Sequence, residues 1–202
     1  MDFQGFEQLI MSYQYPVILI EGKRKIPKEY YNKAIELTSM LAKRYPLLRF
    51  RSGNAEGSDQ AFCEGVKTVD SSRLQIFAPY KGHRKNEMIE GAAYCYPESL
   101  GPDYEAHIIE QTIKATPKNR GLIEKRNLGS SFAVKSKYLL RDTMKVIGLS
   151  DEFPPPVAAI FYADLDDIES GGTGHTIRVC RLNGIPLIFQ DTWENWIISS
   201  KV

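Results

Sequence analysis

Short apolar runs alternate with longer stretches of helical periodicity along this chain. Pro16-Val17-Ile18-Leu19-Ile20 is a continuous apolar run that fits a strand buried on both faces. Residues 28–44 then place Tyr31, Ala34, Ile35, Thr38, Leu41 and Ala42 at the 3.6-residue spacing of an amphipathic helix. Leu47-Leu48-Arg49-Phe50 predicts a second strand, residues 61–66 a short helix behind a Gly-containing turn, and Leu74-Gln75-Ile76-Phe77 a third strand ended by Ala78-Pro79. Strand, helix, strand, helix, strand is the pattern of βαβ units, which implies a parallel sheet with right-handed crossovers. Residues 3–14 predict an amphipathic lead-in helix.

Residues 80–136 break the pattern. They are polar, rich in Gly, Pro, Lys and Arg, and carry one helical stretch near 103–115. This is too long for an ordinary connection and predicts an insertion over one end of the sheet. Helical periodicity returns over 136–148, with Tyr138, Leu139, Met144 and Ile147 as the expected buried side. Phe153-Pro154-Pro155-Pro156 is a stiff approach to a strand over 157–162; a helix over 176–183 and a last strand over 185–189 follow. Trp193 and Trp196 lie in a C-terminal segment expected to pack back on the domain. The prediction is an α/β, Rossmann-like parallel sheet flanked by helices, in a single domain over 1–202 with the insertion 80–136.

Composition narrows the reading. A chain of 202 residues with a hydrophobic fraction of 43% builds a proper core. Lys and Arg total 26 against 25 acidic residues, so no strong basic excess advertises a dedicated nucleic-acid binder. Cys63, Cys95 and Cys180 are odd in number and far apart, which suggests neither a disulfide framework nor a zinc knuckle; each is expected to be a small core residue. Met1-Asp2-Phe3-Gln4 does not open like a signal peptide, and no apolar run nears the roughly 20 residues that span a bilayer. The expected location is the cytoplasm, with no membrane partner.

Two glycine-bearing segments carry the candidate chemistry. The first, Ser52-Gly53-Asn54-Ala55-Glu56-Gly57-Ser58-Asp59, lies between a predicted strand and helix. Glycine there lets the backbone turn tightly, and the N–H groups opening the helix favour an anion. Asp59 could hold a ribose hydroxyl or cap the helix; the plainer reading is an ordinary polar turn. The second, Ser170-Gly171-Gly172-Thr173-Gly174-His175-Thr176, again sits between strand and helix, with three glycines and several hydroxyls to cradle a phosphate. Arg178 falls in the first turn of the predicted helix, where the dipole disfavours it unless it meets an anion. The alternative is a flexible turn with a solvated Arg. Two such loops at the carboxyl ends of parallel strands are where open α/β sheets bind ligands.

At these residues the chain resembles the SLOG superfamily, which takes in DprA-like recombination mediators, Smf-type proteins and the "lonely guy" phosphoribohydrolases. It is most similar to the short DprA-like proteins often encoded by bacteriophages. The likeness rests on Ser52 to Asp59, on Leu139-Leu140-Arg141-Asp142-Thr143-Met144-Lys145-Val146-Ile147-Gly148, on Gly171 to Arg178, and on Gly184-Ile185-Pro186. It covers residues 16–79 and 136–190. Asn54 replaces a usual glycine and Asp142 a usual asparagine. Against the phosphoribohydrolase motif, Ser170 replaces the proline, His175 the threonine and Arg178 the catalytic glutamate. Arginine cannot serve as general base there, although it can bind a phosphate. The resemblance implies the fold and a nucleotide site, and it argues against the hydrolase chemistry. It also implies a homo-oligomer, and its link to bacterial conflict systems makes the ligand a cyclic or NAD-derived signal that a phage-like version would sense or sequester.

Other residues complete the list. Gly22-Lys23-Arg24-Lys25 directly follows the first strand and puts a basic cluster at the ligand edge, favouring more than one phosphate. His83 lies in a basic turn after the third strand and could face the site or be solvated; His175 could contact a ligand; His107 reads as structural or exposed. Asp164, Asp166 and Asp167 could hold a metal, but a solvated loop is the plainer reading, and no metal or cofactor is expected. Segment 114–137 is basic, with Pro117, Gly121 and Gly129 to make it mobile, and it either folds over a polyanion or is a solvated loop. The expected function is binding of a phosphate-bearing, nucleotide-derived small molecule at Gly22, Lys23, Arg24, Ser52, Gly53, Asn54, Gly57, Asp59, His83, Arg141, Ser170, Gly171, Gly172, Thr173, Gly174, His175, Thr176 and Arg178. The alternatives are a DprA-like single-stranded DNA-binding mediator and a nucleotide N-glycosidase using Glu56, Glu90 or Glu124.

Overall fold

Strand alternation decides which side chains meet which helices. In the computed structural model, which describes residues 1–128 and 131–199, six strands form one parallel sheet. They are β1 (Val17–Gly22), β2 (Arg49–Ser52), β3 (Leu74–Phe77), β4 (Ala93–Cys95), β5 (Ala158–Tyr162) and β6 (Leu187–Ile188), in the order β4-β3-β2-β1-β5-β6. Ile18 pairs with Phe50 on one side of β1 and with Ala158 on the other; Gly22 pairs with Tyr162. The chain order reverses between β1 and β5. A crevice opens outside the carboxyl ends of the two strands at such a point.

Helices α1 (Phe3–Met11), α2 (Lys28–Arg44), α3 (Ser58–Lys67) and α8 (Gln190–Ser199) pack with Ile18, Ile20, Phe50, Ile76 and Ile160 in one core. Trp193 is fully buried there and its indole N–H donates to the Phe161 carbonyl at 2.9 Å, while Trp196 stacks on Phe6 at 4.8 Å between centroids. The C-terminal segment therefore packs back as its sequence suggests.

The opposite face is covered by α4 (Pro102–Ala115), α5 (Arg120–Glu124), α6 (Ser131–Ile147) and α7 (Gly171–Leu182). Leu19, Ala159 and Phe161 join Val146, Ile177 and Val179 in an apolar cluster on this side. By the period of 2 along a strand, Glu21, Arg51 and Gln75 also point this way, and all three are buried. Among the described residues Arg51 has no carboxylate partner: its guanidinium donates twice to Gln75 Oε1 (2.7 and 3.0 Å) and once to the Lys145 carbonyl (3.0 Å), over the Phe77 ring. Burial lowers its pKa to about 9.

Several boundaries differ from the sequence reading. The lead-in helix ends at Met11, the second strand runs Arg49–Ser52, and α6 begins at Ser131. Residues 80–136 hold a sheet strand, β4, whose register sets Ile76 against Tyr94. Ala92-Ala93-Tyr94-Cys95-Tyr96 is a short apolar run inside this otherwise polar segment, and backbone pairing with β3 makes its middle a strand. Gly129 lies outside the described residues. Cys63, Cys95 and Cys180 are all free and buried, and among the described residues no helix is long and apolar enough to cross a membrane.

Candidate functional site

The basic segment after β1 is held from below by the first glycine loop. Gly57 has φ 84°, in the left-handed region that favours glycine, and a side chain there would strike the Arg24 backbone. Ser58 donates from both its amide (3.1 Å) and its hydroxyl (2.6 Å) to the Lys23 carbonyl. Asp59 accepts from the Gly22 amide through one oxygen (3.0 Å) and from the Gly53 and Ala55 amides through the other (3.2 and 3.4 Å). Its carboxylate thus ties two strand ends together. Asn54, at φ 48°, takes the left-handed conformation that asparagine tolerates better than most residues, which accounts for its standing where the resemblance has glycine. Its side chain donates to the Glu87 carbonyl at 3.1 Å, and Ser52 Oγ accepts from the Asn54 amide. Ser52, Gly53, Asn54 and Gly57 are scaffold, and Ala55 and Asp59 are the members of the loop that reach the cleft beyond.

That cleft has a volume of about 660 Å³, within the range of small-molecule sites. Gly22, Lys23, Arg24 and Lys25 form one wall, and Ser170, Gly171, Gly172 and Thr173 another. The second glycine segment is not a loop: α7 starts at Gly171, so residues 171–176 are its first turns. No side chain caps this helix, because Ser170 Oγ donates to the Asp167 carbonyl instead. The unpaired N–H groups of α7 therefore open into the cleft, a ready anion site. The third wall is apolar, from Leu122, Tyr138 and Leu139.

The floor holds charges that the sequence reading did not group. Lys145 Nζ lies 2.6 Å from Glu21 Oε2 and 3.0 Å from Asp142 Oδ1; Arg141 Nε lies 2.9 Å from that same Asp142 oxygen. Thr176 Oγ1 donates to Glu21 Oε1 at 3.0 Å, and Arg141 Nη1 to the Gly53 carbonyl at 3.2 Å. Burial raises Glu21 to about 7, against the attraction of Lys145. Asp142 goes the other way: burial opposes its charge, yet Arg141 and Lys145 hold it below the usual carboxylate range. Arg141 Nε and Asp142 Oδ1 are buried, and what they meet is each other and, for the oxygen, the Lys145 ammonium. Three carboxylates, with Asp59, meet two cations here, so the fully ionised floor is net negative beneath a positive rim.

Other expected residues lie elsewhere. His175 is buried, with Nδ1 2.8 Å from Thr116 Oγ1 and Nε2 3.0 Å from Thr143 Oγ1; burial lowers its pKa to about 4. It bonds α7 to α6 and to the residue closing α4, and does not reach the cleft. Arg178 points away as well: Nε donates to the Ala115 carbonyl (3.0 Å) and Nη1 to the Glu169 carbonyl (2.8 Å), with two further bonds to Thr116 Oγ1. A side chain on Gly174 would collide with the Glu169 backbone, so this glycine serves close packing. His83 sits between the rings of Tyr80 and Tyr138, beside the cleft, with its pKa lowered by burial and then by Arg141. Glu56, Glu90 and Glu124 line no part of the cleft; its carboxylates are Glu21, Asp59 and Asp142. Of the basic segment, Leu122 and Lys135 reach it, whereas Arg126 pairs with Glu105 and Lys137 with Glu98. Asp164 accepts from Lys23 at 3.1 Å, and among the described residues no group of acids, histidines and cysteines is arranged to hold a metal ion.

No family model and no curated protein matches this chain. Two solved structures are similar to it at low identity. One is DNA processing protein A from Helicobacter pylori, described by its single-stranded DNA binding mode, at a TM-score of 0.48 and 15% identity over 96% of this chain and 75% of that one. The other is DNA processing protein A (DprA) from Streptococcus pneumoniae, at a TM-score of 0.48 and 11% identity over 96% of this chain and 58% of that one.

Proposed function

We propose that this chain binds a phosphate-bearing nucleotide ligand in the cleft between β1 and α7. The observation that carries the reading is the uncapped start of α7 facing the basic segment Lys23-Arg24-Lys25 across one cavity. A phosphate there meets helix amides on one side and cations on the other. The ring of Tyr138 and the side chains of Leu122 and Leu139 offer a base an apolar wall. The floor carboxylates suit ribose hydroxyls. A thermal-shift series at low salt tests this: nucleoside mono- and diphosphates raise the melting temperature, the matching nucleosides do not, and a Lys23→Ala, Arg24→Ala double variant loses the rise.

A second reading is a single-stranded DNA surface, which the printed description gives for the Helicobacter pylori protein. Here it is supported by the exposure of Arg24 and Lys25 at an open rim that continues to Lys135. A gel shift with salt titration checks it. Retardation that falls steeply with salt supports it, and no retardation at low salt removes it.

A further inference from the structure

A second cavity borders the same basic segment. It has a volume of about 900 Å³ and lies on the β5 side of residues 23–25, which line both cavities. Ile26, Pro27, Tyr162 and Leu165 give it an apolar wall, and Asp164 gives it a carboxylate acceptor. The Tyr162 ring is partly exposed yet fixed, because it packs against Tyr30 with centroids 5.1 Å apart. Leu165 is 48% exposed and presents its apolar side chain to this cavity. Lys23 stands between the two cavities, and its contact with Asp164 involves side chains 30% and 48% exposed, so an entering phosphate can replace it.

From this we infer that the protein takes two phosphate-linked nucleosides at once, one in each cavity, with the linking phosphate over Lys23-Arg24-Lys25. The inference rests on the nucleotide reading of the first cavity and adds a second subsite to it. Each lobe is large enough for a nucleoside. Each pairs one tyrosine face and neighbouring apolar side chains with a carboxylate able to accept from ribose hydroxyls: Tyr138 with Asp142 in the first, Tyr162 with Asp164 in the second. The cations lie on the ridge between the lobes, within reach of a phosphate that links a nucleoside in one lobe to a nucleoside in the other. The chemistry is shared by a free dinucleotide and by two adjacent residues of a single strand.

Isothermal titration with four probes separates the outcomes: adenosine 5′-monophosphate, a 5′-phosphorylated adenine dinucleotide, nicotinamide adenine dinucleotide and a ten-residue oligothymidylate. The expected result is that at least one of the two dinucleotides binds roughly tenfold or more tightly than the monophosphate, the gain of one stacked base. Tyr162→Ala removes that gain and leaves monophosphate affinity in place. Leu165→Ala, at an exposed position that the fold does not depend on, reduces the gain in the same direction. A gain confined to dinucleotides assigns the site to a free ligand; a larger, Tyr162-dependent gain with the oligothymidylate assigns it to a strand. Monophosphate binding with no gain for any longer probe overturns the second subsite and leaves the first. Binding of none of the four overturns both.

Discussion

Lys145 Nζ sits 2.6 Å from Glu21 Oε2, joining the middle of the polar face of α6 to the carboxyl end of the central strand. Both side chains are buried, and Asp142 completes the contact from one helical turn away. This pair fixes where α6 lies over the sheet and therefore where Tyr138 and Arg141 stand in the cleft. Lys145→Met removes the cation and leaves Glu21 and Asp142 facing each other without it. The expected loss is about 3–5 kcal/mol in chemical denaturation, with a smaller loss in Lys145→Met combined with Glu21→Gln.

The pH dependence of stability has two opposed parts. His175 is depressed from 6.5 to about 4 by burial, so its contribution is whole above pH 6.5 and is lost as pH falls towards 4. That loss amounts to about 3 kcal/mol at most. Glu21 is raised from 4.5 to about 7, so its contribution is whole below pH 4.5 and is lost as pH rises through 7. The two windows overlap, so between pH 7 and pH 4.5 the two contributions act in opposite directions. Denaturation midpoints for Glu21→Gln should fall steeply over this range as the solution is acidified, whereas those for His175→Asn should rise. Parallel curves for all three proteins would contradict both assignments.

Arg178→Ala separates position from sequence appearance. The side chain is spent on Ala115, Thr116 and Glu169, and it borders a different cavity at the α4–α7 surface. The variant should lose roughly 1–3 kcal/mol of stability while keeping its nucleotide affinity. A variant of full stability with no binding would place Arg178 in the site after all.

Gly172→Ala works the other way. A methyl group there meets Asp142 Oδ2 at 3.5 Å, an ordinary contact, so the fold accepts it. The same methyl projects at the start of α7, where the ligand phosphate is expected. Stability should change by less than about 1 kcal/mol, and titration should show nucleotide affinity down by roughly tenfold or more.

Much of the fold was legible because apolar runs and helical periodicity report burial directly. Val17 to Ile20 and Leu74 to Phe77 are strands for that reason, and Ala34, Leu41 and Ala42 face the core. The site was half legible. Lys23, Arg24, Gly171 and Gly172 follow strand ends, and the topology brings them together. Glu21 lies one residue past the apolar run that ends at Ile20, and Lys145 is not among Tyr138, Leu139, Met144 and Ile147, which the helical periodicity gives as the buried side. A signal existed: Phe50-Arg51 and Leu74-Gln75-Ile76 alternate apolar with polar in strands buried on both faces, which marks the sheet face under α6 as polar. His175 and Arg178 misled because glycine-rich sequence suggested a loop. The helix is already under way at Gly171, which turns both side chains away from the cleft.

The central claim is that the cleft between β1 and α7 holds a nucleotide phosphate. Native mass spectrometry of the purified protein, followed by denaturation and identification of whatever is released, tests it most directly. The account predicts a mass increment matching a nucleotide, recovered on denaturation, present also in Arg178→Ala and absent from the Lys23→Ala, Arg24→Ala double variant. A bare chain that also shows no thermal shift with any added nucleotide would contradict it.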